Sequence, residues 1–138
     1  MPFNPLILSA LLFVAGAAAA QTFPAKAIRM ISPYPPGGGT DASARIVAQA
    51  LGEQMGQQVV VDSRGGASGR IGVELAAKAP PDGYTIVVGN VAPMAILPGA
   101  GAKLAYNVAR DFQPLSLMAT SDYVLTVHPS LPAKTIKE

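Results

Sequence analysis

The chain has 138 residues, ten of them basic and eight acidic, with no cysteine and no tryptophan. That length holds one domain at most, and a half-apolar composition with 13% charged residues excludes a disordered chain. The basic residues form no cluster and aromatics are few, which excludes a nucleic-acid patch and a base-stacking surface. The absence of Cys removes disulfides, thiolate metal sites and a lipid-anchoring Cys.

Residues 1–20 stand apart. They carry no charged side chain, and the apolar run Leu6 to Val14 is followed by the small-residue run Ala15 to Ala20. Ala18-Ala19-Ala20 fits the A-x-A cleavage rule, so residues 1–20 read as a signal peptide with a mature start near Gln21. The opening "MPFNP" departs from the usual pattern in having no Lys or Arg. Leu6 to Ala20 is also shorter than the roughly 20 residues a spanning helix needs. The expected mature protein is exported and not membrane-spanning.

"AIRMIS", Ala27 to Ser32, reads as a first strand with Ile28, Met30 and Ser32 on one face. Pro33 and Pro35-Pro36 forbid its continuation. Thr40 or Asp41 is the expected N-cap of a helix. Its apolar stripe is Ala44, Val47, Ala48, Leu51 and Met55, and Gly56 is the expected left-handed C-cap. "QVVVD", Gln58 to Asp62, is a β-branched second strand. The loop Ser63 to Gly69 leads to a shorter helix over about Arg70 to Lys78, with Ile71 and Leu75 inward. Pro81-Asp82-Gly83 is turn chemistry, and Tyr84 to Val88 is a third strand, apolar enough for the middle of a parallel sheet. The alternation βαβαβ predicts a doubly wound α/β layer. Beyond Gly89 a long connection precedes two further expected strands, Gln113 to Ala119 and Tyr123 to His128. Thr135 stands three residues before Glu138, the spacing of a capping box that opens a helix. We read the chain as truncated there.

The turn "PYPPGGGTD" carries the chemistry. A glycine turn between strand and helix gathers backbone N–H groups at the positive end of the helix, which suits an anion. Three readings stand: a nucleotide phosphate, a small carboxylate, or a turn with no ligand. Gly37, Gly39 and Ala42 match a loose G-x-G-x-x-A fingerprint, and Asp62 sits where a ribose-binding acid would stand. Against a dinucleotide site, four residues separate the strand from Gly37, three of them proline, and an exported protein meets little NAD. A Walker A loop fails because Thr40 and Asp41 replace its Lys and Ser/Thr. A carboxylate needs only the N–H donors of Gly37 to Thr40, a hydroxyl from Thr40 and the helix end. Asp41 would repel such a ligand unless its oxygens turn towards the helix's own N–H groups.

His128 reads as solvated or structural, no Ser has a base or a G-x-S-x-G elbow, and the acids show no metal-ligand spacing. Arg64 reads as an exposed loop residue, with a ligand clamp as the alternative. Tyr34 either lies over a ligand or covers the sheet edge.

Five motifs, "PAKAIRMISPYPPGGGTD", "VVVDSRGGASGRIG", "APPDGYTIVVGN", "RDFQPLSLMA" and "YVLTVHPSLPAKTIKE", resemble in order and spacing the Bug family, the periplasmic solute receptors of tripartite tricarboxylate transporters. The resemblance covers the mature chain but only the first part of such a receptor. It implies a type II periplasmic-binding-protein lobe over residues 21–138, incomplete before a second lobe, in the periplasm. It further implies binding without catalysis or cofactor, with a small organic carboxylate as ligand and membrane permease subunits as partners. The ligand-binding positions carried over are Tyr34, Pro36, Gly37, Gly38, Gly39, Thr40 and Asp41 in the first loop, and Asn90, Val91, Ala92 and Pro93 after the third strand. The second of these loops departs from the family's hydroxyl-rich pattern, and Gly65 stands where a Pro is common. The other readings are a fragment of an NAD(P)-binding Rossmann enzyme, which cofactor binding would reveal, and a structural or signalling module, which would bind a partner but no carboxylate.

Overall fold

The computed structural model describes residues 22–138 except 123, 133, 134, 136 and 138. The expected signal peptide and the Thr135–Glu138 capping box therefore fall partly or wholly outside the described residues. Three strands form a parallel sheet in the order β2-β1-β3: β1 Ile28–Ser32, β2 Val59–Ser63 and β3 Thr85–Val87. Ile28 pairs with Val59 on one side of β1, and Arg29 with Thr85 on the other. The first three expected strands are present, within two residues at each boundary, although β3, expected in the middle of the sheet, lies at its edge.

Helix α1 spans Gly39–Met55 and ends at Gly56, which adopts the left-handed conformation expected of it, φ 65°. Its expected stripe faces the sheet from Ala44 to Leu51, while Met55 is exposed. Met30, Ala44, Ala48 and Val88 form the buried cluster, with Val47, Leu51, Val59, Val61 and Ile86 packed around it. Helix α2, Arg70–Ala77, packs against β1 and β3. Ile31 points away from Met30's face by strand alternation, and it and Val73 of α2 are fully buried. Each such side chain contributes about 1.5–3 kcal/mol. The sheet thus carries a helix on each face, as the doubly wound expectation requires.

Three expectations are corrected. The N-cap of α1 is Gly38, in extended conformation and without a side-chain cap bond, and is neither Thr40 nor Asp41. The inward positions of α2 are Gly72 and Val73, while Ile71 is exposed. Packing decides this: Gly72 sits so close to the strand-end backbone that a Cβ there would lie 2.8 Å from the Arg64 carbonyl oxygen and from Pro33 Cα. Ile71 is thereby rolled outward over Gly66. Finally, the described residues of Gln113 to Ala119 and of the segment ending at His128 form no strand. A strand exists only where a neighbour takes up its hydrogen bonds, and none is seen beside them among the described residues. Met118 still packs on the core cluster, whereas Leu115, Leu117, Val124 and Leu125 are exposed.

The long connection after β3 begins with a π-helical turn, Ala92–Ile96, runs into a single turn, Leu97–Gly99, and later forms the short helix α3, Val108–Asp111. Among the described residues no helix is long and apolar enough to cross a membrane.

Because the close approach at Gly72 is to backbone, Gly72→Ala is expected to destabilise the chain by about 1–3 kcal/mol. Equilibrium urea denaturation checks it, read as a lower midpoint at unchanged slope.

Candidate ligand-binding site

All three strands run the same way, so the loops leaving β1, β2 and β3 gather at one end of the sheet. In open α/β sheets ligands bind at that carboxyl end, beside the strand where the order reverses. Here that strand is β1, flanked by β2 and β3.

The sequence named two loops, and the structure brings parts of them together. Tyr34 Oη donates to Asn90 Oδ1 at 3.3 Å, linking the loop after β1 to the loop after β3. Behind this pair lies the loop after β2, which the sequence reading did not include. Gly69, at φ 88°, lies so near that a Cβ there would meet Pro93 Cγ at 3.1 Å and Tyr34 Cζ at 3.4 Å. Pro93 is buried, and its carbonyl oxygen accepts a 2.7 Å hydrogen bond from the buried Tyr106 hydroxyl. Tyr34, Asn90 and Pro93 therefore meet around Gly69, with Ala92 half-buried beside them and Val91 exposed.

Pro36, Gly37, Gly38 and Gly39 are exposed, and Thr40 is half-buried. The first intrahelical bond of α1 runs from Ala42 N–H to the Gly38 carbonyl at 2.9 Å. The N–H groups of Gly39, Thr40 and Asp41 precede it, and helix geometry leaves them without an intrahelical acceptor. The N-cap residue Gly38 offers no side-chain cap, so among the described residues these N–H groups stand as free donors at the positive end of a 17-residue helix.

Asp41 is turned inward and is not presented to a ligand. Its carboxylate is buried and accepts from Gly37 N–H at 3.1 Å, Ser63 Oγ at 2.7 Å, and Arg45 Nε and a terminal guanidinium nitrogen at 2.9 and 3.2 Å. Its oxygens meet the loop's N–H and not the helix's own, which corrects the capping expectation. Gly37, held at φ 85°, has its N–H committed to this bond. The Arg45 guanidinium, then Ser63 and then Gly37 hold the Asp41 carboxyl down at about 2. Arg45 also cancels the charge that would repel an anion from the loop. The i,i+4 position of Arg45 was readable in the sequence; Ser63 lies on another strand.

Asp62, the acid of the dinucleotide reading, is already engaged by Arg29 and by Arg64 Nε, the latter at 2.8 Å. Burial pushes its carboxyl up, and the hydrogen bonds from the two arginines outweigh it, leaving the pKa below the ordinary value. Arg64 is thus an exposed partner of Asp62. His128 is exposed and contacts Ser130. Among the described residues no three His, Cys, Asp or Glu side chains are grouped to hold a metal ion.

A free helix end beside a Tyr–Asn contact can hold an anion but presents no nucleophile with a base. Against this geometry, the family described as tripartite tricarboxylate transporter family receptor matches residues 43–138. The chain belongs to that receptor family. Protein BugT of Bordetella pertussis is 40% identical over 119 residues, covering 86% of this chain and 36% of its own length. Among solved structures, a periplasmic transporter is similar at 46% identity and TM-score 0.66, over 68% of this chain and 32% of its own. MatC from Rhodopseudomonas palustris, solved with bound malate, is similar at 31% identity and TM-score 0.66, over 70% of this chain and 33% of its own. The chain spans about a third of the length of these relatives. They are periplasmic binding proteins in fold, so the described sheet and helices form part of such a receptor lobe, as the resemblance implied. Nothing among the relatives supports the Rossmann reading.

The Asp41 carboxyl lies below its ordinary 3.8 in the folded chain, so the stability it contributes is complete above about pH 4 and lost as the pH falls towards about 2. Asp111, beside Arg110, titrates in the same range. Thermal melts of the wild type and Asp41→Asn between pH 6 and 2 are expected to differ most at pH 6 and to converge in acid.

Proposed function

We propose that this receptor captures a small organic dicarboxylate outside the cytoplasm and presents it to membrane permease subunits of a tripartite transporter. The observation that carries the reading is the free helix end of α1, whose N–H groups at Gly39, Thr40 and Asp41 open onto the loop linked to Asn90 by Tyr34. One ligand carboxylate accepts from these groups and from the Thr40 hydroxyl, with Gly38 leaving room for close approach. Tyr34 and Asn90 flank the ligand. Pro36, Val91 and Ala92 line its apolar part, the buried Pro93 supports them from behind, and Asp41 shapes the loop from within. The similar MatC structure with bound malate, and Rpa4515 of the same organism solved with adipate at 36% identity and TM-score 0.57, support the ligand class.

In this reading residues 1–20 direct export to the periplasm and are removed. The opposite wall of the site comes from a second lobe, and closure of the two lobes around the ligand makes the form that the permease recognises. Binding proceeds without chemistry or cofactor.

The test is a titration of the isotope-labelled 138-residue chain with malate and with adipate, followed by NMR. With one wall of the site present, affinity is expected at roughly millimolar. Amide shifts are expected at Gly38, Gly39, Thr40 and Asn90, and the uncharged diamide of malate is expected to leave them in place. Shifts confined to residues outside the two loops, equal shifts from the diamide, or tight stoichiometric binding by this chain would each contradict the proposal.

A further inference from the structure

Three polar residues, Ser32, Ser63 and Asp41, lie on the α1 side of the sheet near the glycine loop. Ser32 ends β1 and Ser63 ends β2, and the two are register partners in the parallel ladder. Their side chains therefore leave the sheet on the same face. That face is α1's, because Met30, two residues before Ser32, packs against Ala44 and Ala48. Ser63 Oγ donates to Asp41 there at 2.7 Å. Ser32 is fully buried, and its Oγ is the buried side-chain polar atom without a hydrogen-bond partner among the described residues. A buried hydroxyl left unpaired is costly, and in a folded chain it calls for a reason.

The reason lies in the donors around Asp41. Arg45 and Ser63 hold the carboxylate from α1 and β2, whereas the remaining donor, Gly37 N–H, belongs to an exposed loop. That loop must rearrange if it is to close on an anion. Withdrawing Gly37 N–H would leave a buried carboxylate oxygen one donor short.

We propose that Ser32 is a reserve donor to Asp41: when Gly37 turns its N–H away, the Ser32 hydroxyl rotates into the position it leaves. The exchange moves no proton between groups. One N–H leaves a carboxylate oxygen, and one O–H that had no acceptor replaces it. The net cost of opening the loop is reduced by about one hydrogen bond, and Arg45 keeps the Asp41 charge compensated throughout. Ser32 is a positioning residue and touches no ligand. Its purpose, letting the glycine loop close on a captured carboxylate without stranding Asp41, rests on the function proposed above, while the exchange itself rests on the Asp41 cluster alone.

The decisive experiment needs no ligand. In the 138-residue chain, Ser32→Ala removes the reserve donor and should make the opened loop rarer. The solvent-exchange rate of the Gly37 amide, measured by NMR, is expected to slow by about three- to tenfold, the worth of one net hydrogen bond. Amides in the middle of α1 should keep their wild-type rates. Unchanged or faster exchange at Gly37, or altered rates along the whole of α1, would overturn the proposal. A malate titration of the same variant then separates the two readings. Malate binding weakened three- to tenfold by Ser32→Ala supports both. Absence of malate binding in the wild type counts against the carboxylate function, and the Gly37 rate still decides the role of Ser32.

Discussion

The buried carboxylate of Asp41 is the junction on which the candidate site depends. Through it the first turn of α1, the end of β2 and the exposed glycine loop are held to one another by hydrogen bonds. A negative charge in that position would by itself oppose anion capture, yet the geometry offsets it. Arg45 sits on the same oxygens, so the carboxylate acts as a bracket whose field is largely cancelled. The donors one residue further along the loop and helix remain free. On the same face of the sheet the buried Ser32 hydroxyl has no partner among the described residues.

The second constraint is close packing of backbone at the strand ends. Gly72 lets α2 lie against Pro33 and the Arg64 carbonyl, and Gly69 lets Tyr34 and Pro93 approach each other. These small residues set the spacing between the three loops. The Tyr34–Asn90 contact is a consequence of that spacing, and at 3.3 Å it is a weak one, suited to a pair that opens and closes. Position is fixed by glycine and proline, and adaptability is left to a phenol and an amide.

Much of the fold was legible because its signals are local. The runs ending at Ser32, Asp62 and Val88 are β-branched and bounded by proline or glycine, and the stripe from Ala44 to Leu51 has helical period. The first and third loops of the site could be placed because they follow those strands, and the family resemblance marked the same positions. What escaped depends on partners distant in sequence. Asp41 carries every local mark of an N-cap, but Ser63 and Gly37 claim its oxygens from outside the helix. Ile71 fits an inward position by period, but the contact of Gly72 with a neighbouring segment turns it outward. The segments around Leu115 and Val124 alternate like strands, yet alternation cannot supply the neighbouring strand that would make them so. Gly69, in the loop after β2, marked only the end of a loop in the sequence, and in the structure it sets the packing of Tyr34 and Pro93.

Placing β1 between β2 and β3 has a further consequence, for the order in which the molecule assembles. Ile28 finds its partner at Val59, and Arg29 finds its other partner at Thr85. No two strands of this sheet are joined by a hairpin, and every ladder closes a loop that contains a whole helix. Such pairings are entropically expensive before they are rewarding, so loop closure and not helix formation sets the pace of folding. Of the three, β1 is made first and waits longest for its second neighbour. Until then the unpaired N–H and C=O groups along that edge face water.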